Sequence, residues 1–480
     1  MMKRDPHDAC RRPPVKPWVR NRRILLTSFL GITAGIVLFL GVTHHLNTRR
    51  YAALLESIRA QGAPATVAEL QQWQNKEDAE ILGETPSPEN GATPVAENGE
   101  TAVDIYLKST DLLEALRTSA AHDEINDMLK QLDDGQALSP EDLNKLRAYL
   151  EEHQELLQML HEAAALPPGK FPLDYSKGFA MELPHLARIR DAARLLRAEA
   201  VYAAMTGDTD LSYEALMSCL AVQSPLRGEA LIISQLVSIA CQTIASEGLQ
   251  NTLAYAGYND EQLAVLQQRL SAEHNTTSLT NALMVERVFA LEAYNDPATF
   301  IAPGRTWMDE IIPGSYAALL RTANAFGWFS GDRQEYLECM EEMIAASRLP
   351  YAEARPTYAA LETRGNDRSI LPYLNSSLFA SLTRVPAVMA RGDAQLSLGS
   401  TAAAIERYRL AAGAAPDQLD ALVPAYLSGV PEDPFDQQPL RYRREGEGYT
   451  LYSIGANGAD DGGTPAVSTF EGDLVFNVRR

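Results

Sequence analysis

Residues 453–463 read SIGANGADDGG, and Asp473 follows ten residues later. Asn457, Asp460, Asp461 and Asp473 offer carboxylate and amide oxygens, and Gly458, Gly462 and Gly463 let the backbone turn tightly between them. A hard dication such as calcium takes six to eight oxygens of this kind. The spacing alone matches neither an EF-hand loop nor a nonapeptide calcium repeat. The same residue types also build plain turns.

Other chemistry is sparse. Arg190, Arg194 and Arg197 fall on one helical face and could grip a carboxylate-bearing ligand. The simpler reading pairs them with acids on a packed neighbour, or leaves them as a solvated face. His161-Glu162 continues as AAAL without a second metal ligand, and the eight histidines form no metal-spaced cluster. No G-x-S-x-G elbow, P-loop, H-E-x-x-H or G-x-G-x-x-G motif is present. Carboxylate pairs are too common in so acidic a chain to mark a glycosidase. No catalytic residue is assigned, and the expectation is binding or scaffolding rather than enzymatic work.

The elements that must position these residues are mostly helical. Ser139-Pro140-Glu141-Asp142 is a helix start, with Ser139 as N-cap and acids facing the positive end of the dipole. Leu186, Ile189, Ala193, Leu196 and Ala200 make one apolar stripe, Gly207 stops that helix, and Asp208 or Thr209 caps the next. Helix, Gly-Asp turn, helix is the grammar of an αα-hairpin and resembles a tetratricopeptide unit. No 34-residue period recurs, so the spacing predicts an irregular antiparallel helical array. Cys219, Cys241 and Cys339 sit in apolar helical contexts and read as small buried hydrophobes.

The net charge of −21 is unevenly spread. Residues 1–23 carry eight Lys or Arg against Asp5 and Asp8, a net +6, which leaves −27 on the rest. So acidic a body repels phosphates and disfavours nucleic-acid partners. Ile24 to Thr43 is twenty residues without a charge, long enough to cross a bilayer as a helix. The cations before it place the N-terminus in the cytoplasm, and no Ala-x-Ala-like cleavage site follows. The expected organisation is a basic cytoplasmic tail at 1–23, a single transmembrane helix at 24–45, and a stalk with a Pro- and Gly-rich flexible spacer at 46–100. A helical ectodomain at 101–392 and a distinct tail at 396–480 complete the chain. The predicted location is the inner membrane, with the bulk periplasmic.

In that tail Leu398, Ala402, Ile405, Tyr408 and Ala412 form a helical stripe ended by Gly413. Leu440 and Tyr442 alternate with arginines, and Tyr449, Leu451 and Ser453 alternate after a Gly-rich turn. Leu474, Phe476 and Val478 add a third strand. So small a sheet needs the Leu398–Ala412 helix across its apolar face. The fold class predicted is therefore mainly α, with a small C-terminal α+β domain holding a three-stranded antiparallel sheet.

The order of helix, P-x-x-L-x-x-L-V-P-x-Y-L, P-x-D-P-F, hairpin, S-I-G-A-N-G-x-x-D-G-G and an Asp-led strand resembles the C-terminal globular domain of the major pseudopilins of type II secretion systems. Pro416, Leu419, Leu422, Pro431, Asp433, Pro434, Tyr442, Tyr449, Ser453, Gly455, Asn457, Gly458, Gly462, Gly463 and Asp473 carry the likeness. The resemblance implies a calcium ion held by the glycine-rich loop, with Asn457 standing where an Asp is usual and weakening the affinity. It also implies pseudopilins or other envelope proteins as partners. The whole chain is similar to bacterial membrane-anchored envelope proteins that combine an anchor, a helical array and this tail, a likeness that implies no activity. The segment VRNRRILLTSFLGIT lacks the Gly of a prepilin-peptidase site and the acid inside the apolar run. Residues 44–395 also stand between anchor and tail. Entry into a pilus-like fibre by the usual route is therefore not expected. The function expected is that of a non-enzymatic envelope scaffold or adaptor, the alternative being an envelope hydrolase with its site among the helices.

Overall fold

The computed structural model describes residues 41–74, 99–273, 278–298, 314–366, 379, 381–465, 468 and 470–480. The basic tail, most of the apolar run and most of the Pro- and Gly-rich spacer lie outside the described residues. Two compact units divide the chain: residues 1–60 with 294–335, and residues 61–293 with 336–480.

The larger unit is built mainly from helices. After α1 (41–60), Gly62 at φ +77° breaks the chain and α2 (67–74) follows. Then come α3 (Ala102–Lys108), α4 (Thr110–Arg117), α5 (Ala120–Asp133), α6 (Pro140–Glu152) and α7 (Gln154–Ala164). Ser139 caps α6 as read from sequence: its hydroxyl accepts from Asp142 N at 3.2 Å, and the Asp142 carboxylate accepts from Ser139 N at 2.8 Å. That reciprocal pair satisfies two of the amides every helix start leaves open.

The predicted hairpin is present. α8 (Pro184–Thr206) ends on Gly207 at φ +85°, and Asp208 Oδ1 accepts from Leu211 N to start α9 (Thr209–Ala221). The stripe from Leu186 to Ala200 is buried throughout. α10 (Ile232–Leu253), α11 (Asp260–Ala272) and α12 (Ser278–Asn295) extend the array, followed by α13 (Ser315–Ala325), α14 (Ser330–Ala346) and α15 (Tyr351–Asn366). Among the described residues α10 alone is long and apolar enough to cross a membrane, and it is mostly buried against α8, α9 and the tail, as a core helix is.

The predicted tail helix is the C-terminal half of a longer one, α16 (Val385–Ala412), which Gly413 closes at φ +81°. The boundary expected between residues 392 and 396 therefore falls inside a single helix. α16 packs on α10 and α11, and small residues let it approach closely. A Cβ on Gly392 would lie 3.1 Å from Ile239, and one on Gly399 would lie 3.3 Å from Leu270. Strands β1 (Arg441–Glu445), β2 (Gly448–Ser453) and β3 (Leu474–Val478) form an antiparallel sheet in that order. Tyr442, Leu451 and Phe476 lie in one cross-strand row, and the buried face of β2 and β3 rests on α16.

The tail does not hang apart from the helices. Leu451, Phe476 and Val478 belong to the same buried cluster as Leu196, Leu216 and Leu249. Asn477 N donates to Gln250 at 3.1 Å, and Arg480 donates to the Leu253 carbonyl and to Glu406. So small a sheet could not stand alone, and the continuous core supplies its missing layer.

Candidate functional site

Asp433 organises the base of the tail. It is fully buried, and its Oδ1 accepts from Phe435 N at 3.0 Å and from Ser453 Oγ at 2.9 Å. Its Oδ2 accepts from Ile454 N at 2.9 Å and from Arg441 Nη1 at 3.1 Å. One carboxylate thus joins the D-P-F turn, the end of β2 and the start of β1. A buried charge persists only where paired and hydrogen-bonded, and this one is both.

Above it lies the glycine-rich loop. Asn457 Nδ2 donates to Asp461 Oδ2 at 3.0 Å, and Asn457 Oδ1 accepts from Ala459 N. Asp460 Oδ1 accepts from Gly462 N and from the Tyr452 hydroxyl. The two Asp473 oxygens take the amides of Asp461 and Gly463, the latter at 2.7 Å. The four residues read from sequence therefore share one loop, and most of their side-chain oxygens accept from donors of that loop or of β2. Among the described residues no group of three or more His, Cys, Asp or Glu side chains is gathered as a metal would require.

The chemistry of the set still suits a cation. Burial raises the pKa of Asp473, and the neighbouring Asp461 and Asp460 add to the rise, outweighing the two amides that oppose it. Two guanidinium groups partly answer that charge, Arg441 being legible in the sequence only as a strand position. Arg355 on α15 donates to the Asn457 carbonyl at 3.1 Å, and Arg441 lies 3.9 Å from Asp460.

A second polar site lies among the helices. A cavity of about 710 Å³ is bordered by His161 of α7, by Tyr213, Glu214 and Ser218 of α9, and by Arg227 and Arg269. Both arginines are held by the buried Glu273. His161 Nδ1 is 2.8 Å from Ser218 Oγ, and Nε2 is 2.7 Å from Glu199 on α8. Hydroxyl, imidazole and carboxylate in series is the arrangement of an activated nucleophile. The electrostatics point elsewhere. Burial opposes charge on His161, but the hydrogen bond and negative charge of Glu199 prevail and hold its pKa above the usual histidine value. The shift favours the imidazolium form, which donates from both nitrogens and in that form does not accept the Ser218 proton. Ser218 itself sits inside α9, where the backbone amides serve the helix. The trio clamps α7, α8 and α9 together.

Two of the three stripe arginines are paired, while the Nε of Arg190 is buried with no hydrogen-bond partner among the described residues. Arg197 is buried between Asp133 of α5 and Glu247 of α10, whose carboxylate accepts at 2.7 Å. Arg194 pairs with Asp191 on its own helix at 3.0 Å. Among the described residues Cys219, Cys241 and Cys339 are free and buried, and burial pushes the Cys219 thiol up to about 12.

Comparisons with family models, with curated proteins and with solved structures give no match to this chain.

Proposed function

We propose that this chain is a membrane-anchored scaffold or adaptor of the bacterial envelope, with its larger unit on the extracytoplasmic side. The observation that carries the reading belongs to the smaller unit. The uncharged run Ile24–Thr43 ends one residue before His44, and Gly327 lies directly against the His44 ring, a Cβ there falling 2.1 Å from Nδ1. On either side of Gly327 are Phe326, 79% exposed, and Trp328, 56% exposed. Large aromatic side chains left bare where an apolar segment ends match the belt that proteins place at the membrane–water boundary. Arg333 stacks over Tyr51 at 4.0 Å and ties α1 to the chain that carries this pair.

The scaffold role is supported by the larger unit. Its tail and helices share one core, so a partner held by the tail is held by the whole array. The likeness of the tail to the pseudopilin domain makes pseudopilins the first partners to test, and the P-x-D-P-F turn anchored by Asp433 gives its ordered motif a physical reason. Crosslinking of the full chain in its own membranes is expected to recover one reproducible envelope partner. Recovery of a different set in each preparation would contradict the reading. The alternative, an envelope hydrolase with its site among the helices, finds its first candidates in Ser218, His161 and Glu199, and the upward shift of His161 works against a general-base role.

Calcium belongs to the proposal as a weak ligand that rearranges the loop. Asp461 and Asp473 must release their present donors before they can share an ion, so binding is expected only at millimolar calcium. There it should raise the Tm of the full chain, because a ligand bound by the folded state alone stabilises it. Asp461→Asn should abolish the rise. A Tm unmoved by calcium removes the ion from this account.

A further inference from the structure

A smaller cavity in the larger unit has a different chemistry. Its volume is about 320 Å³, and its walls come from the loop before α8, the start of α10, α12 and the chain entering α16. Phe179, Leu183, Ile232, Leu236, Phe289 and Leu382 make it apolar almost throughout. Glu286 of α12 is the one charged residue on its wall, and no hydrogen bond or ion pair reaches that carboxyl from any described residue. Burial alone pushes its pKa up to about 7.

Such a group is costly to keep. An unpaired carboxyl in an apolar wall destabilises the fold whenever it ionises, and an apolar residue of similar size would avoid the cost. The buried acids described above each have a donor or a cation in contact: Asp433 has Arg441, Glu273 has two arginines, and Glu199 has His161, whereas Glu286, partly exposed at the cavity wall, meets none among the described residues. Glu286 has space instead. A pocket of this size, apolar with one convergent polar group, has the form of a small-molecule site.

We propose that this cavity binds a small apolar molecule carrying a single amine, whose ammonium group pairs with Glu286. The apolar body displaces water from the phenylalanine and leucine walls, and the ammonium supplies the partner the carboxylate lacks. A carboxylic acid or phosphate ester would bring like charge to the same point and is disfavoured. The inference is independent of the scaffold reading, since it needs neither the anchor nor an envelope partner.

Calorimetric titration of the full chain at pH 8 with 4-phenylbutylamine and with its neutral counterpart 4-phenylbutanol tests the assignment. The amine is expected to bind at least about tenfold more tightly than the alcohol, the minimum for a desolvated ion pair. Glu286→Gln should erase that preference while leaving alcohol binding intact. The same variant should melt at a higher temperature than the parent at pH 8. A Glu whose folded pKa is raised costs stability above that pKa, and glutamine escapes the cost. Leu236→Trp, which fills the cavity, should abolish binding of both probes and leave Glu286 in place. Equal affinity for amine and alcohol, a preference that survives in Glu286→Gln, or no binding of either probe would overturn the proposal.

Discussion

Asp433→Ala is expected to destabilise the larger unit by about 3 kcal/mol or more, from the buried donors it leaves unsatisfied rather than from the ion pair, because Arg441 keeps Asp436. The substitution leaves the Arg441 guanidinium without its buried acceptor and strands the amides of Phe435 and Ile454 together with the Ser453 hydroxyl. Each orphaned donor adds a desolvation cost of roughly 1–3 kcal/mol, partly relieved where water can enter. Asp433→Asn keeps the shape but turns one acceptor into a donor facing other donors, so it should recover little. The check is a urea melt followed by tyrosine and tryptophan emission. A midpoint within experimental error of the parent would show that the carboxylate is not the anchor of the tail.

Arg197→Met should cost about 1–3 kcal/mol at neutral pH, because it removes the cation shared by Asp133 and Glu247, whose side chains are 21% and 38% exposed and so partly reached by water. In the parent, burial opposes the charge on Arg197, but the attraction of Glu247 and Asp133 outweighs this and keeps its pKa above the ordinary arginine value. Burial also pushes Asp133 and Glu247 upward, and Arg197 restrains both. An acid whose folded pKa lies above its unfolded value costs stability as pH rises from the unfolded pKa through the folded one. Without Arg197 both folded values climb further, and the cost at pH 7 grows. Below about pH 4 both acids are protonated in either state and the cost disappears. The stability gap between parent and variant should therefore shrink as pH falls from 7 to 4. A gap that stays constant over that range would mean the variant fails through lost packing of the arginine stem.

Much of the helical array was legible because helix ends are written locally. Ser139 with Asp142, Gly207 with Asp208, and Gly413 each satisfy their own end of a helix within a few residues, so the signal needs no knowledge of the fold. The strands of the tail were legible for a similar reason: the apolar period of two survives in Tyr449, Leu451 and Ser453. The start of α16 was not. Its first half is buried through Ala387, Ala390, Gly392 and Ala394, small residues that pack closely and leave no stripe to read.

The sites were less legible, because their partners are distant in sequence. Asp433 stood out only as part of a motif, and its role appeared when Ser453, Ile454 and Arg441 arrived from other segments. His161 was read beside Glu162, yet its partner is Glu199 on another helix. Asn457, Asp460, Asp461 and Asp473 do share a loop, but the cation nearest Asn457 is Arg355, 102 residues away along the chain. Nothing in the sequence around Glu286 marks it, since α12 reads as an ordinary helix and the cavity is made by four separate segments.

The account depends most on which side of the bilayer the larger unit occupies. Protease added to intact spheroplasts is expected to cut within the Pro- and Gly-rich spacer and to shorten the chain to a folded fragment that keeps the tail and stays with the membrane through the contacts of residues 294–335 with α1. The same protease added to inverted vesicles should remove only the basic residues before Ile24. Protection of the larger unit in spheroplasts, or recovery of the whole chain free in the cytosol, would contradict the account.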